Sequence, residues 1–545
     1  MKHTKLVLAI AATLTATASF SALAMDLYVD SKTKQVFTEP GKGRVLLNDS
    51  GHSKSGHTPF VPTVAPVAAT DIEAIKKDLE LKTNEIKALT EKADESSKPD
   101  AVKVSLTNGV KFETRDGNFT TEIHGRMQVD SQENVNQQLH NSFVSGTGAP
   151  LALDNSVGIR RARLSMEGTV YKDTDYKFEY DFARAGMVGQ IAGSTVTTQN
   201  TSLAGGITDA FARYNFNKKL SVKLGSFKEP LTLEDTTSDI QTSFIERSMA
   251  VNAFVDNLNI FKVGIGANYS ADRWLVATAL QTQGPGAMNT ATSYVQPSVN
   301  SQAGAGNTSW ELNGRVAGTP WMASPTQLLH LGGWGSYTSV NNNYNGNGTL
   351  ANGGVTFGTQ MGNMDRTSIL NTGNLSSAAV GGNVATAYNR FGAETAVVLG
   401  PFSAQAEYLQ TNVSGNGYSN NSMGGYYGYV TYFVTGESRN YVTKTGAFDR
   451  VKPKHNFDMK GGMGAWELLA GFDELNLKSG DKINGGSAEL GKLGINWYFN
   501  PRVRLNTNYV HAFNINTSGM SATGTPAAFN NAKLDMIESR IQLDW

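Results

Sequence analysis

The stretch DYKFEYDFA, from Asp175 to Ala183, puts Tyr176, Phe178, Tyr180 and Phe182 on one face of an extended strand. Lys177, Glu179 and Asp181 fall on the other. Successive side chains of a strand point to opposite sides, so one side here is aromatic and the other ionic. The pattern recurs from Val102 to Trp545. In NFTTEIHGRMQVDS, Phe119, Thr121, Ile123, Met127 and Val129 oppose Glu122, His124, Arg126, Gln128 and Asp130. In RARLSMEGTV, Leu164, Met166 and Val170 oppose Arg161, Arg163, Ser165 and Glu167. LSVKLG sets Leu220, Val222 and Leu224 against Ser221 and Lys223, and ESRIQLDW sets Ile541, Leu543 and Trp545 against Arg540, Gln542 and Asp544.

A soluble sandwich also alternates, with its polar face in water. Two features point to lipid instead. The segments read as ten residues or more, and a tilted strand needs about 9–11 residues to cross a bilayer. Aromatic residues also recur at the ends of the apolar face, as in the girdles of membrane barrels. Lipid accepts strands only when every backbone group is paired, so the sheet must close on itself. The expected fold is all-β, a sixteen-stranded antiparallel transmembrane β-barrel over residues 102–545. The sixteen segments start near residues 118, 156, 175, 206, 218, 258, 272, 308, 326, 387, 401, 427, 464, 486, 502 and 534. A barrel of that size leaves an aqueous channel and not a filled core.

The connections support this reading. Short turns such as YKDTD, FNKKL, SADRW, LGPFS and FNPRV alternate with long polar segments at 132–155, 187–205, 229–257, 284–307, 341–386 and 514–533. Short periplasmic turns and long outer loops are the asymmetry of outer-membrane barrels. Two connections break it: 436–463 is long on the short side, and 478–485 is short on the long side.

The region before the barrel divides into three parts. Residues 1–24 combine Lys2 and Lys5, an apolar run from Leu6 to Leu14 and a small-residue site at Ala22-Leu23-Ala24, the form of a secretory signal peptide. Residues 25–70 lack periodicity and read as a periplasmic arm or linker. Residues 71–98 carry Ile72, Ile75, Leu79, Ile86 and Leu89 at heptad positions, with Lys82 the one polar exception. A short coiled-coil helix is expected there, and Ile at both core positions favours more than two strands.

Composition excludes several classes. The 545 residues contain no cysteine, so no disulfide framework or thiol nucleophile exists. Lys and Arg total 47, and Asp and Glu total 47, so no global field draws nucleic acid. Mean hydropathy is −0.30, too polar for a helical membrane protein. The eight histidines include no pair with ligand spacing on one strand face, so no metal and no cofactor are expected. Glu122 with Arg126, and Glu179 with Lys177, read as lumen ion pairs. No GxSxG, P-loop or dinucleotide fingerprint is present, so no catalytic residue is assigned and the chain does not read as an enzyme. Two readings remain: a water-filled channel for passive diffusion of small hydrophilic solutes, and a structural or adhesive barrel displaying its long loops.

Six motifs, in order, resemble the phosphate-selective porin O/P family: RDGNFTTEIHGRMQVD, RRARLSMEGTVYKDTDYKFEYDF, GSFKEPLTLEDTTS with FIERS, FDRVKPKHNF, GGMGAWEL and NWYFNPRVRLNTNYV. The arm LYVDSKTKQVFTEPGKGR is similar to its members as well. The resemblance implies a homotrimeric porin of the Gram-negative outer membrane, whose third long loop, here about Glu229 to Asn257, folds into the pore. By matching position it implies Arg126, Arg160, Arg161, Arg163, Lys228 and Arg247 as pore-lining, anion-contacting residues. Alternation adds Lys223 and Lys262 to the lumen, and puts Arg160 on the opposite face, where it must snorkel or sit at the rim. The loop also carries Glu229, Glu234, Asp235, Asp239 and Glu246. Carboxylates at a narrow, low-dielectric constriction repel anions. An anion- or phosphate-preferring porin and a general porin of the same fold are both consistent with these residues.

Overall fold

The computed structural model describes residues 28–30, 36–37, 44–46, 69–95, 102–106, 109–139, 152–185, 206–258, 261–282, 309–344, 348–520 and 528–545. The expected signal peptide lies outside them. The chain forms two units, Met1–Leu89 and Thr90–Trp545. In the first, strand Tyr28–Asp30 pairs antiparallel with Val36–Phe37 and with Arg44–Leu46. A helix, Ala69–Glu95, begins in this unit and exposes Leu79, Ile86 and Leu89. No helix among the described residues is long and apolar enough to cross a membrane.

The second unit is a closed antiparallel barrel of sixteen strands. In chain order they are β1 Phe119–Gln138, β2 Ser156–Val170, β3 Thr174–Asp181 and β4 Ile207–Asn215. Then come β5 Leu220–Lys228, β6 Phe261–Ser270, β7 Trp274–Gln281 and β8 Trp310–Ser324. They continue with β9 Gln327–Ser339, β10 Val384–Leu399, β11 Phe402–Asn416 and β12 Tyr418–Phe433. The last are β13 Ala465–Ser479, β14 Ile483–Asn500, β15 Val503–Asn516 and β16 Lys533–Asp544. The ring closes where β16 pairs with β1, from Lys533 opposite Gln138 to Asp544 opposite Arg126. A hairpin of Val102–Ser105 and Val110–Thr114 extends the foot of β1.

Each expected segment is a strand. The largest displacement is β12, which begins at Tyr418 because Gly417, at φ 80°, turns the chain back alone. The expected length of ten residues or more fails for β3, β4, β5 and β7, which have 8, 9, 9 and 8 residues. β9 to β15 have 13 to 18. The wall is therefore low on one side and tall on the other. In β3 the quoted alternation ends at Asp181, and Phe182 opens a helical turn while stacking edge-on against Tyr180 at 5.0 Å.

Phe178, Leu224, Ile265, Leu312, Val316, Phe391 and Leu493 stand exposed on the outer face, as lipid-facing residues should. Near the short-turn end Trp466 stacks on Trp497 with centroids 4.8 Å apart. The interior is not water throughout. The connection after β5 carries short helices Leu233–Thr236 and Met249–Phe254 and enters the barrel. Met249, Val251, Phe254 and Val255 bury against Tyr388, Leu409, Tyr427 and Leu469 of the tall wall. The connection between β9 and β10 joins them through Phe357, Ile369 and Leu370. The irregular 434–464 connection also folds inward as a hairpin of Asn440–Val442 and Ala447–Asp449. Its Tyr441 and Phe448 pack on Leu233, Leu328, Ala396 and Val398. The expectation of an unfilled lumen thus holds only on the side away from β9–β14, because apolar loop residues find a dry surface against the tall wall.

Candidate functional site: the basic path beside the third loop

The third loop is held by side chains from the wall. Thr232 caps its first helical turn by accepting from Asp235 N at 2.8 Å. Glu407 of β11 accepts from Leu233 N at 3.0 Å and Glu234 N at 2.7 Å. Asp473 of β13 accepts from Met249 N at 2.8 Å, and Asn508 of β15 from Ile245 N at 2.8 Å. Arg504 and Arg540 donate to the carbonyls of Thr242 and Ile245 at 3.0 and 2.9 Å. Backbone groups buried in a lumen need partners, and alternating strands supply them from their inner faces.

The loop carboxylates meet cations in turn. Asp239 takes Arg126, Arg161 Nε at 2.9 Å and Arg163 Nη1 at 3.4 Å. Burial alone would raise the Asp239 carboxyl, but these three arginines outweigh it and hold it well below the usual range. Burial is likewise outweighed at Glu246, where Arg160, Arg366 and Arg540 lower the carboxyl to about 2. Asp235 pairs with Lys228 at 2.8 Å and Arg247 at 3.3 Å, and Glu229 pairs with Lys262 at 2.7 Å and Arg390 at 2.9 Å. Glu234 accepts from Ser248 N at 2.9 Å inside the loop. These acids act as struts, each ion-paired or hydrogen-bonded within the fold.

Arg160 also corrects the alternation. Gln128 pairs with Arg161 but Val129 pairs with Ile159, so Arg160 is the extra residue of a β-bulge. A bulge re-aims its side chains. Arg160 and Arg161 both turn inward, and Arg160 Nε lies 3.4 Å from Glu246. The lumen pair expected between Glu122 and Arg126 is absent: four residues along a strand are too far apart, about 13 Å. Glu122 meets Lys111 at 3.1 Å, and Arg126 reaches Glu179 at 3.3 Å. Glu179 does face Lys177, at 3.8 Å.

The arrangement leaves a cavity of about 390 Å³ beside the loop. Six cations line it, Arg160, Arg161, Arg163, Lys228, Arg247 and Arg366, against three carboxylates, Asp181, Asp239 and Asp256. A second cavity of about 230 Å³ lies nearer the short-turn end, with Arg126, Lys177, Arg450 and Arg502 facing Glu167, Glu179 and Asp544. Arg163 lines both. Two sequence candidates lie elsewhere. Lys223 sits over the Phe227 ring at 4.3 Å, and Lys262 is locked between Glu229 and Glu311 at 2.7 and 2.6 Å. Arg366 was missed by alternation because it lies in the Asn- and Gly-rich connection before β10, which has no strand period. The only local hint was the short apolar pairs nearby, such as Ile369-Leu370.

A closed transmembrane barrel with a polar path along one side of its lumen is a pore-forming channel protein. The family model for phosphate-selective porin O and P matches residues 134–543, and the chain belongs to that family. It is an outer-membrane porin, a channel rather than an enzyme. Porin O of Pseudomonas aeruginosa is 25% identical over 428 residues, covering 75% of this chain and 86% of that protein. Among solved structures, OmpT of Vibrio cholerae is 12% identical with a TM-score of 0.42, over 78% of this chain and 98% of that one. The anion-selective porin from Comamonas acidovorans is 11% identical with a TM-score of 0.40, over 78% and 100%.

Proposed function

We propose that the channel prefers anions, phosphate among them, and that Arg160, Arg161, Arg163, Lys228, Arg247 and Arg366 set this preference. The supporting observation is the excess of six cations over three carboxylates around one cavity. In a narrow, poorly hydrated passage a charge excess acts more strongly than in bulk water. Arginine forks suit phosphate oxygens, and lysines add point charge. Arg126 passes the solute on to the second cavity. Reversal potentials in a salt gradient across a planar bilayer test the anion preference, and phosphate block of chloride current tests the phosphate contact. Equal permeability to potassium and chloride removes the first, and chloride current indifferent to phosphate removes the second. The reading as a general porin is favoured by one observation, that most of these cations are already ion-paired; it predicts the second outcome.

The remaining assignments are part of the same proposal. Residues 1–24 direct export, 25–70 form a periplasmic arm, and 71–98 form a coiled coil joining copies of the chain ahead of the 102–545 barrel. Exposed Leu79, Ile86 and Leu89 supply its contact face. The low wall of β3–β7 is the side on which barrels meet in a homotrimer, and the tall wall faces lipid. Cross-linking of the purified protein in detergent, with and without residues 69–95, checks this.

A further inference from the structure

The short-turn mouth holds a cluster, at the edge of the second cavity, whose facing carboxylates the channel reading does not explain. Glu122 on β1 and Glu167 on β2 are directly opposed partners in the sheet. Like charges set opposite one another destabilise a strand pair. Two neighbouring lysines relieve this unequally. Lys111 reaches Glu122 at 3.1 Å, while Lys177 turns to Asp209 at 3.1 Å. Between the carboxylates stands His124, two residues along β1 and on the same face. Its side chain as a whole is 26% exposed, but the Nε2 atom is shielded from solvent and ion-pairs with both carboxylates. It lies 3.5 Å from Glu122 Oε2 and 3.4 Å from Glu167 Oε1, and the three ligand atoms lie within 4.8 Å of one another.

The two separations from the imidazole, 3.5 and 3.4 Å, have a specific meaning, and the two carboxylate oxygens lie within 4.8 Å of each other. Zinc holds nitrogen and carboxylate oxygen at about 2.0–2.2 Å, so two ligands at a tetrahedral corner stand about 3.3–3.5 Å apart. We infer that Glu122, His124 and Glu167 form a site for a divalent transition-metal ion, of which zinc is the representative. One oxygen from each carboxylate and Nε2 of the neutral imidazole supply three ligands. The fourth position opens toward the cavity of about 230 Å³ that His124 and Glu167 also line. The ion removes the repulsion between the facing carboxylates and ties β1 to β2. The competing arrangement, an imidazolium between two carboxylates with no metal, makes opposite predictions.

The test is zinc chloride titrated calorimetrically into the purified full-length protein in detergent at neutral pH, for the parent, His124→Gln and Glu167→Gln. The expected result is a saturable site in the parent, weakened more than about ten-fold in each variant. Heat-modifiable gel mobility and circular dichroism establish that both variants are folded barrels. Zinc-edge anomalous diffraction from a zinc-soaked crystal should place the ion among the three side chains. Equal zinc affinity in parent and variants, no saturable binding in the parent, or an anomalous peak elsewhere overturns the assignment.

Discussion

The two sides of the lumen solve the same problem differently. Along β9–β14, strands of 13 to 18 residues meet inward loops through Phe254, Phe357, Tyr388 and Leu469, a dry core stabilised by apolar burial. Along β1–β6 the loop meets the wall through Asp239, Glu246 and the arginines at 126, 160, 161 and 163, and space remains beside it. One side seals, and the proposed solute path follows the other. The difference shows that a barrel of this size is not emptied by its strand number. Where loop residues are apolar the wall closes over them. Where they are charged, a network forms that tolerates water.

Four changes would break or sharpen that contrast. The largest effect is expected from Arg390→Met, which leaves Lys262 alone to balance Glu229 and Glu311 in a buried site. Breaking such a pair from one side costs about 3–5 kcal/mol, read as a lower melting temperature in detergent. Phe448→Ala comes next. It empties the contact with Leu233 and Tyr441 on the sealed side and should cost about 3 kcal/mol while raising single-channel conductance. If conductance falls instead, the sealed side is not sealed by this ring.

Acidification should act on the open side. Glu246 has a folded value of about 2, against about 4.3 when unfolded. A depressed carboxyl contributes stability above its unfolded value and loses it as pH falls toward the folded one. The contribution of Glu246 to the melting temperature should therefore be constant above about pH 5 and decline below about pH 4. Glu246→Gln should shrink that decline, and an unchanged slope would remove Glu246 from the network. The smallest effect is expected for Arg160→Ala. Its partly exposed pair with Glu246 is worth about 1 kcal/mol or less. Stability should hardly move, while the chloride-to-potassium permeability ratio falls.

Much of this was legible beforehand. The alternation in DYKFEYDFA and its repeats marked every strand of the barrel, and it marked Arg161, Arg163 and Glu179 as inward. The motif around Glu229 marked the loop that enters. Arg160 was misplaced because a bulge depends on how two strands come into register, which neither strand records alone. Glu229 and Asp239 read as anion-repelling because partners such as Arg390 and Arg126 lie more than a hundred residues away in the chain. Lys262 read as a lumen cation, and it is one, but carboxylates on both sides hold it fast.

What the sequence determined by itself follows from local periodicity. Period two fixes which face meets lipid, and turn residues fix where each strand ends. Which lumen charges remain available to a solute was decided only in the folded chain. Coulomb and hydrogen-bond energies depend on distances between residues that the sheet closure and the inward loops bring together.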